Sequence, residues 1–227
     1  MLDEWNRLEQ VAKLLPDILD RLVFVGGGVT ELLVTNSAGR KPRPTKDVDC
    51  IVEVSSWVQY HKLEEQLRRA GLAHDTNVPP LICRWTKDSL ILDVMPTLEE
   101  ILGFTNIWYK DAVPSSILYR LPSGTEIHII HPVYYFSTKT EAFRTRGKSE
   151  FRTSHDFEDI VALVNGRAAL VTEMKAAKED VFTAMKNFWT PHLESVDMLS
   201  AIKEHVDAYE NNPRAPIVMD RLLNMFG

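Results

Sequence analysis

The sequence has few cysteines and no long apolar run. Its 227 residues include two cysteines, Cys50 and Cys83, each inside an apolar stretch. Two thiols cannot make a zinc site alone, so we expect buried free thiols in a reducing compartment. No apolar run approaches the roughly 20 residues that span a membrane. Residues Met1 to Asp20 are amphipathic and acidic instead of basic and then apolar, so no signal peptide is expected and the predicted location is cytoplasmic.

Two common phosphate-binding motifs are also missing. The chain contains neither a G-x-x-x-x-G-K-[ST] loop nor a G-x-G-x-x-G turn followed by a strand that ends in an acidic residue. The formal net charge is −6, which argues against general coating of nucleic acid, because non-specific binding depends on neutralising phosphates. A local basic groove is still compatible with this charge.

The stretch from Leu22 to Val54 organises the chain. An apolar run that ends at Val25 is followed by three glycines, Gly26, Gly27 and Gly28, and by a short helical pattern. Glycine tolerates positive φ and lets a ligand approach the backbone, and the N–H groups at the start of a helix bind anions. These residues indicate a phosphate-binding turn, and the alternative is a simple tight turn.

Two carboxylates open the next predicted strand. Side chains alternate along a strand, so Asp47 and Asp49 project from one face with their backbones roughly 7 Å apart. Carboxylates so close repel each other unless a cation lies between them, and oxygen-only ligands suit Mg²⁺ or Mn²⁺. Capping or solvation is the alternative for an Asp-X-Asp at a strand start. The order of glycine turn, helix and acidic pair favours a metal site.

A third carboxylate, Asp93, stands in the apolar part of LICRWTKDSLILDVMP. This pattern predicts a hairpin turned around Lys87 and Asp88, with Asp93 in its second strand. A carboxylate among apolar residues is costly to bury unless something pairs with it. A metal shared with the acidic pair would do so, and a position at a strand end facing water is the alternative.

These residues resemble the nucleotidyltransferase superfamily typified by DNA polymerase beta. In that family a strand, a glycine turn and a helix precede an Asp-X-Asp strand, and a third carboxylate lies on a neighbouring strand. The spelling GGGVTELL followed by RPTKDVD is most similar to the AbiEii branch, which includes toxins of type IV toxin-antitoxin systems. The resemblance implies a catalytic, metal-binding triad of Asp47, Asp49 and Asp93. It also implies that nucleotide is bound by Gly26, Gly27, Gly28 and Thr45.

A second stretch, His131 to Arg167, extends the resemblance. The string KTEAFRTRGK followed by SHDFEDIVAL is similar to the AbiEii pattern of a lysine and an alanine on one helix, an arginine-rich connection and a D-x-x-D helix start. From residue chemistry alone, Lys139 is a surface lysine and Asp156 a helix cap. The resemblance instead implies that Lys139 contacts nucleotide phosphate and that Asp156 belongs to the nucleotide-binding rim of the active site.

The predicted reaction is a two-metal transfer of a nucleoside monophosphate from an NTP to a hydroxyl acceptor. Two Mg²⁺ or Mn²⁺ ions about 4 Å apart would activate the acceptor and stabilise the leaving pyrophosphate. The acceptor is left open among an RNA or tRNA 3′ end, a protein hydroxyl and a small molecule such as an aminoglycoside. For RNA, we predict a basic groove of Arg144, Arg146, Lys148 and Arg152.

Two further interpretations concern the biological role. By family analogy the protein is the toxin of a toxin-antitoxin system with a cognate antitoxin as its partner, although a fold does not fix a function. The competing interpretation is a non-catalytic protein that keeps the fold and binds nucleotide or a partner for regulation. Three intact carboxylates favour catalysis over this alternative.

The predicted fold is α/β (α+β), with a polymerase-beta-like core, a mixed sheet flanked by helices and a C-terminal helical extension. Residues 1–131 form the predicted catalytic core, and residues 132–227 a helical region that completes the active site. Hydrophobic periodicity predicts strands at Leu22–Val25, Asp47–Val54, Leu81–Trp85, Leu90–Met95, Ile117–Leu121 and Glu126–Ile130. Predicted helices are Trp5–Leu22, Val29–Asn36, Ser56–Ala70, two that begin near Pro132 and Asp156, Thr172–Phe188, Pro191–Asn211 and Pro213–Phe226.

Overall fold

The chain divides into two compact units, each built from two separate stretches. The computed structural model describes residues 4–36, 43, 45–76, 82–103, 105–146, 150–206 and 214–227. The first unit comprises Met1–Val29 and Pro44–His131, and the second comprises Thr30–Arg43 and Pro132–Gly227. The short segment from Thr30 therefore belongs with the C-terminal part of the chain.

The first unit is built on a mixed sheet that has seven strands within the described residues. The strands are β1 (Leu22–Val25), β2 (Val48–Val52), β3 (Ala73–His74), β4 (Arg84–Lys87), β5 (Leu90–Pro96), β6 (Ile117–Arg120) and β7 (Glu126–Ile129). Their order is β3-β4-β5-β2-β1-β7-β6. Strand β1 runs parallel to β7 and β2 runs parallel to β5, and the other pairs are antiparallel. The all-apolar β1 is buried along its whole length, as expected of a central strand.

The described part of the chain forms α-helices in both units. They are α1 (Glu4–Leu14), α2 (Thr30–Leu33), α3 (Trp57–Arg69), α4 (Glu99–Leu102), α5 (Tyr109–Ala112), α6 (Pro132–Thr145), α7 (His155–Gly166), α8 (Leu170–Lys175), α9 (Glu179–Trp189), α10 (Val196–Val206) and α11 (Ala215–Phe226). Helices α1, α3, α4 and α5 belong to the first unit, and the others belong to the second. None of these described helices has the length and apolarity that crossing a bilayer requires.

The ends of the helices follow from local chemistry. Ser56 caps α3 by accepting a hydrogen bond from the Gln59 amide, and Gly71 follows its C-terminus with a φ of +84°, as predicted. Helix α1 ends at Leu14, earlier than the predicted Leu22, because Pro16 has no amide hydrogen to continue it. A separate 3₁₀ turn at Leu19–Arg21 leads into β1.

The second unit has an aromatic core. Phe136, Phe143, Phe157 and Trp189 are buried, and the rings of Phe143 and Trp189 are stacked with centroids 6.1 Å apart. The C-terminal region contains shorter helices than predicted, because two helices, α8 and α9, replace the expected helix Thr172–Phe188.

Helix α2 is also shorter than the predicted Val29–Asn36. A 3₁₀ turn covers Gly27–Val29, and α2 ends at Leu33. The amides of Thr35 and Asn36 donate to the carbonyl of Gly166, at the end of α7, and do not continue the helix. The mixed sheet and the helical C-terminal region confirm the predicted fold class, and Cys50 and Cys83 are buried free thiols as predicted.

Candidate functional site

Three of the predicted residues are brought together at one end of β2. Asp49 of β2 is in register with Asp93 of β5, and on its other side it is in register with Val25 of β1. Register partners project from the same face of a sheet. Asp47 lies immediately before β2, and its carboxylate is near that of Asp93 because Arg84 Nη2 donates to both. We refer to Asp47, Asp49 and Asp93 as the acidic cluster.

Arg84 of β4 lies next to the acidic cluster and neutralises part of the charge of the cluster. It is in register with Asp93, and its Nε and Nη2 atoms donate to the two carboxylate oxygens of Asp93 at 2.8 and 2.7 Å. The same Nη2 donates to Asp47 Oδ2 at 3.0 Å. Hydrogen bonds from Arg84 to Asp93 and the charges of both carboxylates raise the pKa of the guanidinium further above its ordinary value. Arg84 therefore stays charged.

The burial of these side chains is uneven. Only 12% of the Asp93 side chain is exposed, against 33% for Asp47 and 25% for Arg84. Burial holds the pKa of the neighbouring Cys50 thiol well above its ordinary value, and the charges of Asp49 and Asp93 raise it further. Negative charge is thus concentrated on a largely buried strand end.

The glycine turn lies directly against the acidic cluster. Gly26 has a φ of +71°, and a Cβ built on it would lie 1.9 Å from Asp49 Oδ2. A Cβ on Gly28 would lie 3.5 Å from the hydroxyl oxygen of Thr45, which donates to the backbone carbonyl of Asp47 at 3.2 Å. The absence of a side chain at position 26 is therefore what lets the Asp49 carboxylate approach the turn.

The donor set of the acidic cluster suits a divalent cation. Its oxygen ligands are those preferred by Mg²⁺ and Mn²⁺, and a positive group already bridges Asp47 and Asp93. Within the described residues, however, no three His, Cys, Asp or Glu side chains are grouped closely enough to hold a metal ion. The carboxylates therefore suit a divalent metal in their chemistry but not in this arrangement, in which the Arg84 guanidinium lies between Asp47 and Asp93.

The remaining predicted residues, Lys139 and Asp156, lie in the second unit. Lys139 Nζ on α6 is 3.2 Å from Asp156 Oδ1 and 2.6 Å from Asp159 Oδ2, both on α7. Arg146 adds a bidentate interaction with Asp156 at 2.9 and 2.8 Å. We call Lys139, Arg146, Asp156 and Asp159 the lysine network.

The lysine network is mostly buried, and its charges compensate each other. Burial raises the pKa of Asp156, but the hydrogen bonds from Arg146 and the charge of Lys139 outweigh burial and leave this pKa below its ordinary value. The N-cap of α7 is Ser154, whose hydroxyl accepts a hydrogen bond from the Phe157 amide. Asp156 is therefore not the helix cap that residue chemistry alone suggests. Lys139 is not the surface lysine that residue chemistry alone suggests, because its side chain is only 11% exposed.

The predicted basic groove consists of arginines that already have acidic partners. Arg144 forms two hydrogen bonds with Glu141, Arg146 pairs with Asp156, and Arg152 lies 3.4 Å from Glu204. Lys148 lies outside the described residues. Any anion bound here competes with these carboxylates.

Two residues of these networks were not predicted from the sequence. Arg84 lies in the predicted strand Leu81–Trp85, and Asp159 is the second aspartate of the D-x-x-D helix start. The observed hairpin turns around Asp88 and Ser89, one residue later than the predicted turn, and this register pairs Arg84 with Asp93. A prediction of that turn would have placed Arg84 beside Asp93.

Comparison with known proteins supports the fold. No family model matches the chain, and no curated protein matches its sequence. The crystal structure of an antigenic nucleotidyltransferase-like protein from Paracoccidioides brasiliensis is similar, with a TM-score of 0.51 and 17% sequence identity. The similarity covers 87% of this chain and 93% of that chain. The protein therefore has a nucleotidyltransferase-like fold.

Proposed function

We propose that the protein is a metal-dependent nucleotidyltransferase that moves a nucleoside monophosphate from an NTP to a hydroxyl acceptor. The observation that carries the proposal is the placement of Asp49 and Asp93 in register on adjacent strands, with Asp47 joined to Asp93 through Arg84 and Gly26 against Asp49. A nucleotidyltransferase-like fold with three carboxylates at one strand end supports this chemistry.

In this proposal the acidic cluster is the metal-binding and catalytic group. Mg²⁺ or Mn²⁺ held by Asp47, Asp49 and Asp93 would activate the acceptor hydroxyl and stabilise the charge of the pyrophosphate leaving group. We propose that the backbone of Gly26, Gly27 and Gly28 binds nucleotide phosphate next to the Asp49 carboxylate, which lies against Gly26. Thr45, whose hydroxyl donates to the Asp47 carbonyl, would bind nucleotide beside the acidic cluster.

We propose that Lys139 binds nucleotide phosphate, with Asp156 and Asp159 as the residues that position its ammonium group. Both carboxylates are within 3.2 Å of Nζ, so they hold the lysine side chain in one orientation. A phosphate would have to share Lys139 with these two acids. Positioned cations of this kind offset charge that develops on the transferred phosphoryl group.

The proposed acceptor is the 3′ end of an RNA, and tRNA is the first candidate. Arg144, Arg146 and Arg152 have exposed side chains that can exchange a carboxylate for a phosphate, and Lys148 adds a further charge. Phosphate contacts of this type make binding depend on salt concentration. Protein and small-molecule hydroxyls remain alternative acceptors for the same chemistry.

The test is a labelling assay with each NTP in turn. The protein is incubated with Mg²⁺, one labelled NTP and total tRNA, beside Asp47→Asn/Asp49→Asn and an Asp17→Asn control in an exposed position. We expect label in RNA, reduced at least about a hundred-fold in the double variant and unchanged in the control. Label in protein identifies a protein acceptor. No label in RNA, protein or an added aminoglycoside contradicts the proposed activity.

We further propose, from the AbiEii resemblance, that this activity makes the protein a toxin controlled by an antitoxin protein. The chain would then arrest growth when it is expressed alone in a bacterial host. The Asp47→Asn/Asp49→Asn variant is the matched control, because it removes two charges with little change in shape. Equal growth of cells that express either protein at the same level contradicts the toxin role and leaves the transfer reaction untouched.

A second candidate function is a non-catalytic nucleotide-binding protein. The observation that favours it is the interaction of Arg84 with Asp47 and Asp93, since carboxylates that a guanidinium already bridges can remain together without a metal. Calorimetry separates the candidates. Nucleotide binding that is the same with and without Mg²⁺, and that persists in Asp47→Asn/Asp49→Asn without any transfer, identifies the regulatory protein.

A further inference from the structure

One nitrogen of the Arg84 guanidinium lies between two carboxylates of the acidic cluster. Its Nη2 lies 2.7 Å from Asp93 Oδ2 and 3.0 Å from Asp47 Oδ2. A bridging Mg²⁺ lies about 2.0–2.1 Å from its oxygen ligands. The two oxygens would therefore need to move inward by less than about 1 Å each to coordinate a cation at the position of this nitrogen.

The charges of the site make such an exchange favourable. Three carboxylates and one guanidinium leave a net charge of −2 in the ionised cluster, and exchange of the guanidinium for a divalent ion lowers this to −1. Like charges so close destabilise each other unless a cation lies among them, so Arg84 supplies that cation in the metal-free protein. The guanidinium keeps its full positive charge, because it does not lose its proton in proteins.

Arg84 is also able to leave. Its side chain is one-quarter exposed, and β4 is separated from the sheet edge only by the two-residue β3. A long side chain on a near-edge strand reaches solvent by rotation about its χ angles, with no change in the backbone. The strand register, which fixes Asp49 beside Asp93, is unaffected by such a rotation.

We propose that Arg84 is a tethered competitor of the divalent metal: it occupies the acidic cluster in the metal-free protein and is displaced when the metal binds. The inference rests on the proposed metal-dependent function of the same site. It assigns Arg84 a regulatory role, because the guanidinium weakens the resting affinity for metal. Binding of metal, or of a nucleotide that brings its metal along, then frees the guanidinium to contact an anionic ligand.

The test measures Mn²⁺ binding by the full chain, by electron paramagnetic resonance and calorimetry, without nucleotide. We expect Arg84→Gln to bind Mn²⁺ at least tenfold more tightly than the wild type, and Arg84→Lys to fall between them. Arg120→Gln is the matched control, because it removes an arginine from an exposed strand pair with Glu126 in the same unit. Its Mn²⁺ affinity should equal that of the wild type.

A second measurement follows thermal unfolding with and without Mn²⁺. Without metal, Arg84→Gln should melt at a lower temperature than the wild type, because three carboxylates lose their cation. Saturating Mn²⁺ should raise the melting temperature of Arg84→Gln by more than it raises that of the wild type. If Arg84→Gln does not fold, Arg84→Lys carries both measurements.

The outcomes separate the inference from the function on which it rests. Mn²⁺ binding by the wild type that is unchanged or weaker in Arg84→Gln overturns the competition and makes Arg84 a positioning residue, with the proposed function intact. No Mn²⁺ binding by any variant overturns both. Tight binding by Arg84→Gln that disappears in Arg84→Gln/Asp49→Asn supports both and locates the ion on the acidic cluster.

Discussion

Gly26 and Asp49 approach each other so closely that residue 26 has no room for a side chain. A Cβ at this position would lie 1.9 Å from Asp49 Oδ2, and the backbone of Gly26 already has a φ of +71°. Two independent requirements, one conformational and one steric, therefore select glycine beside the acidic cluster.

We expect Gly26→Ala to destabilise the protein by more than about 2 kcal/mol, because left-handed strain of about 1 kcal/mol adds to the clash with Asp49. The control is Gly124→Ala. Gly124 also has positive φ, at +89°, but a Cβ there meets nothing within 4 Å, so only the strain applies. Urea unfolding measures both, and equal losses of stability would contradict the steric part of the argument.

Asp93 and Asp47 should differ in their contribution to stability. Asp93 receives two hydrogen bonds from Arg84 and is mostly buried, whereas Asp47 receives one and is more exposed. We predict that Asp93→Ala costs about 2–3 kcal/mol, because it leaves the charge of Arg84 without its main partner. Asp47→Ala should cost less than about 1 kcal/mol. Denaturant titration of the metal-free protein checks this order, and the reverse order would count against the observed pairing.

Lys139 is expected to matter for stability as well as for phosphate binding. Lys139→Met leaves Asp156 and Asp159 buried with Arg146 as the remaining cation of the network, so we predict a loss of about 3 kcal/mol or more. Arg144→Met removes a cation from an exposed pair with Glu141 on the same helix, and should cost less than about 1 kcal/mol. Chemical denaturation of both variants is the measurement. A small effect at Lys139 would show that the network is loosely held in solution.

Glu64 on α3 should make stability depend on acid pH. Its oxygens lie 3.1 Å from His61 Nδ1 and 3.0 Å from His74 Nε2, and Arg68 is also near. Burial raises the pKa of Glu64, but hydrogen bonds from the two histidines and the charge of Arg68 outweigh it and leave the pKa below its ordinary value of 4.5.

A lowered folded-state pKa gives stability that is present above the unfolded pKa and is lost as the pH falls through the folded pKa. We therefore expect the stability difference between the wild type and Glu64→Gln to be largest above pH 4.5 and to shrink below it. Glu65→Gln, at an exposed position on the same helix, should show no such dependence. Urea midpoints measured across this range decide the matter. A difference that grows as the pH falls would refute the assigned direction of the shift.

Local features of the fold were predictable from the sequence. The bounds of β1 were correct, because an apolar run next to Gly26 marks both its type and its end. Helix α3 was correct because Ser56 caps its start and Gly71 terminates it. Such signals lie within a few residues of the element they define.

Neighbours across strands were harder to predict. The sequence indicated that Asp47, Asp49 and Asp93 are unusual, but only the parallel pairing of β2 with β5 sets Asp49 beside Asp93. Arg84 was missed because the hairpin turn was centred one residue too early, and a shift of one residue changes every partner across the two strands. Helix α2 was too long because the amides of Thr35 and Asn36 bond to Gly166, more than a hundred residues away in the chain.

The interleaving of the two units has a consequence for synthesis on the ribosome. Helix α2 emerges early, but its partners in the second unit are made much later: the hydroxyl of Thr30 meets that of Tyr135, and the carbonyl of Leu33 accepts from Arg167, 134 residues further on. Closing loops of this length is slow compared with local helix formation. These contacts of α2 can therefore form only after Arg167 has been synthesised. Until then α2 lacks them and is accessible to co-translational chaperones.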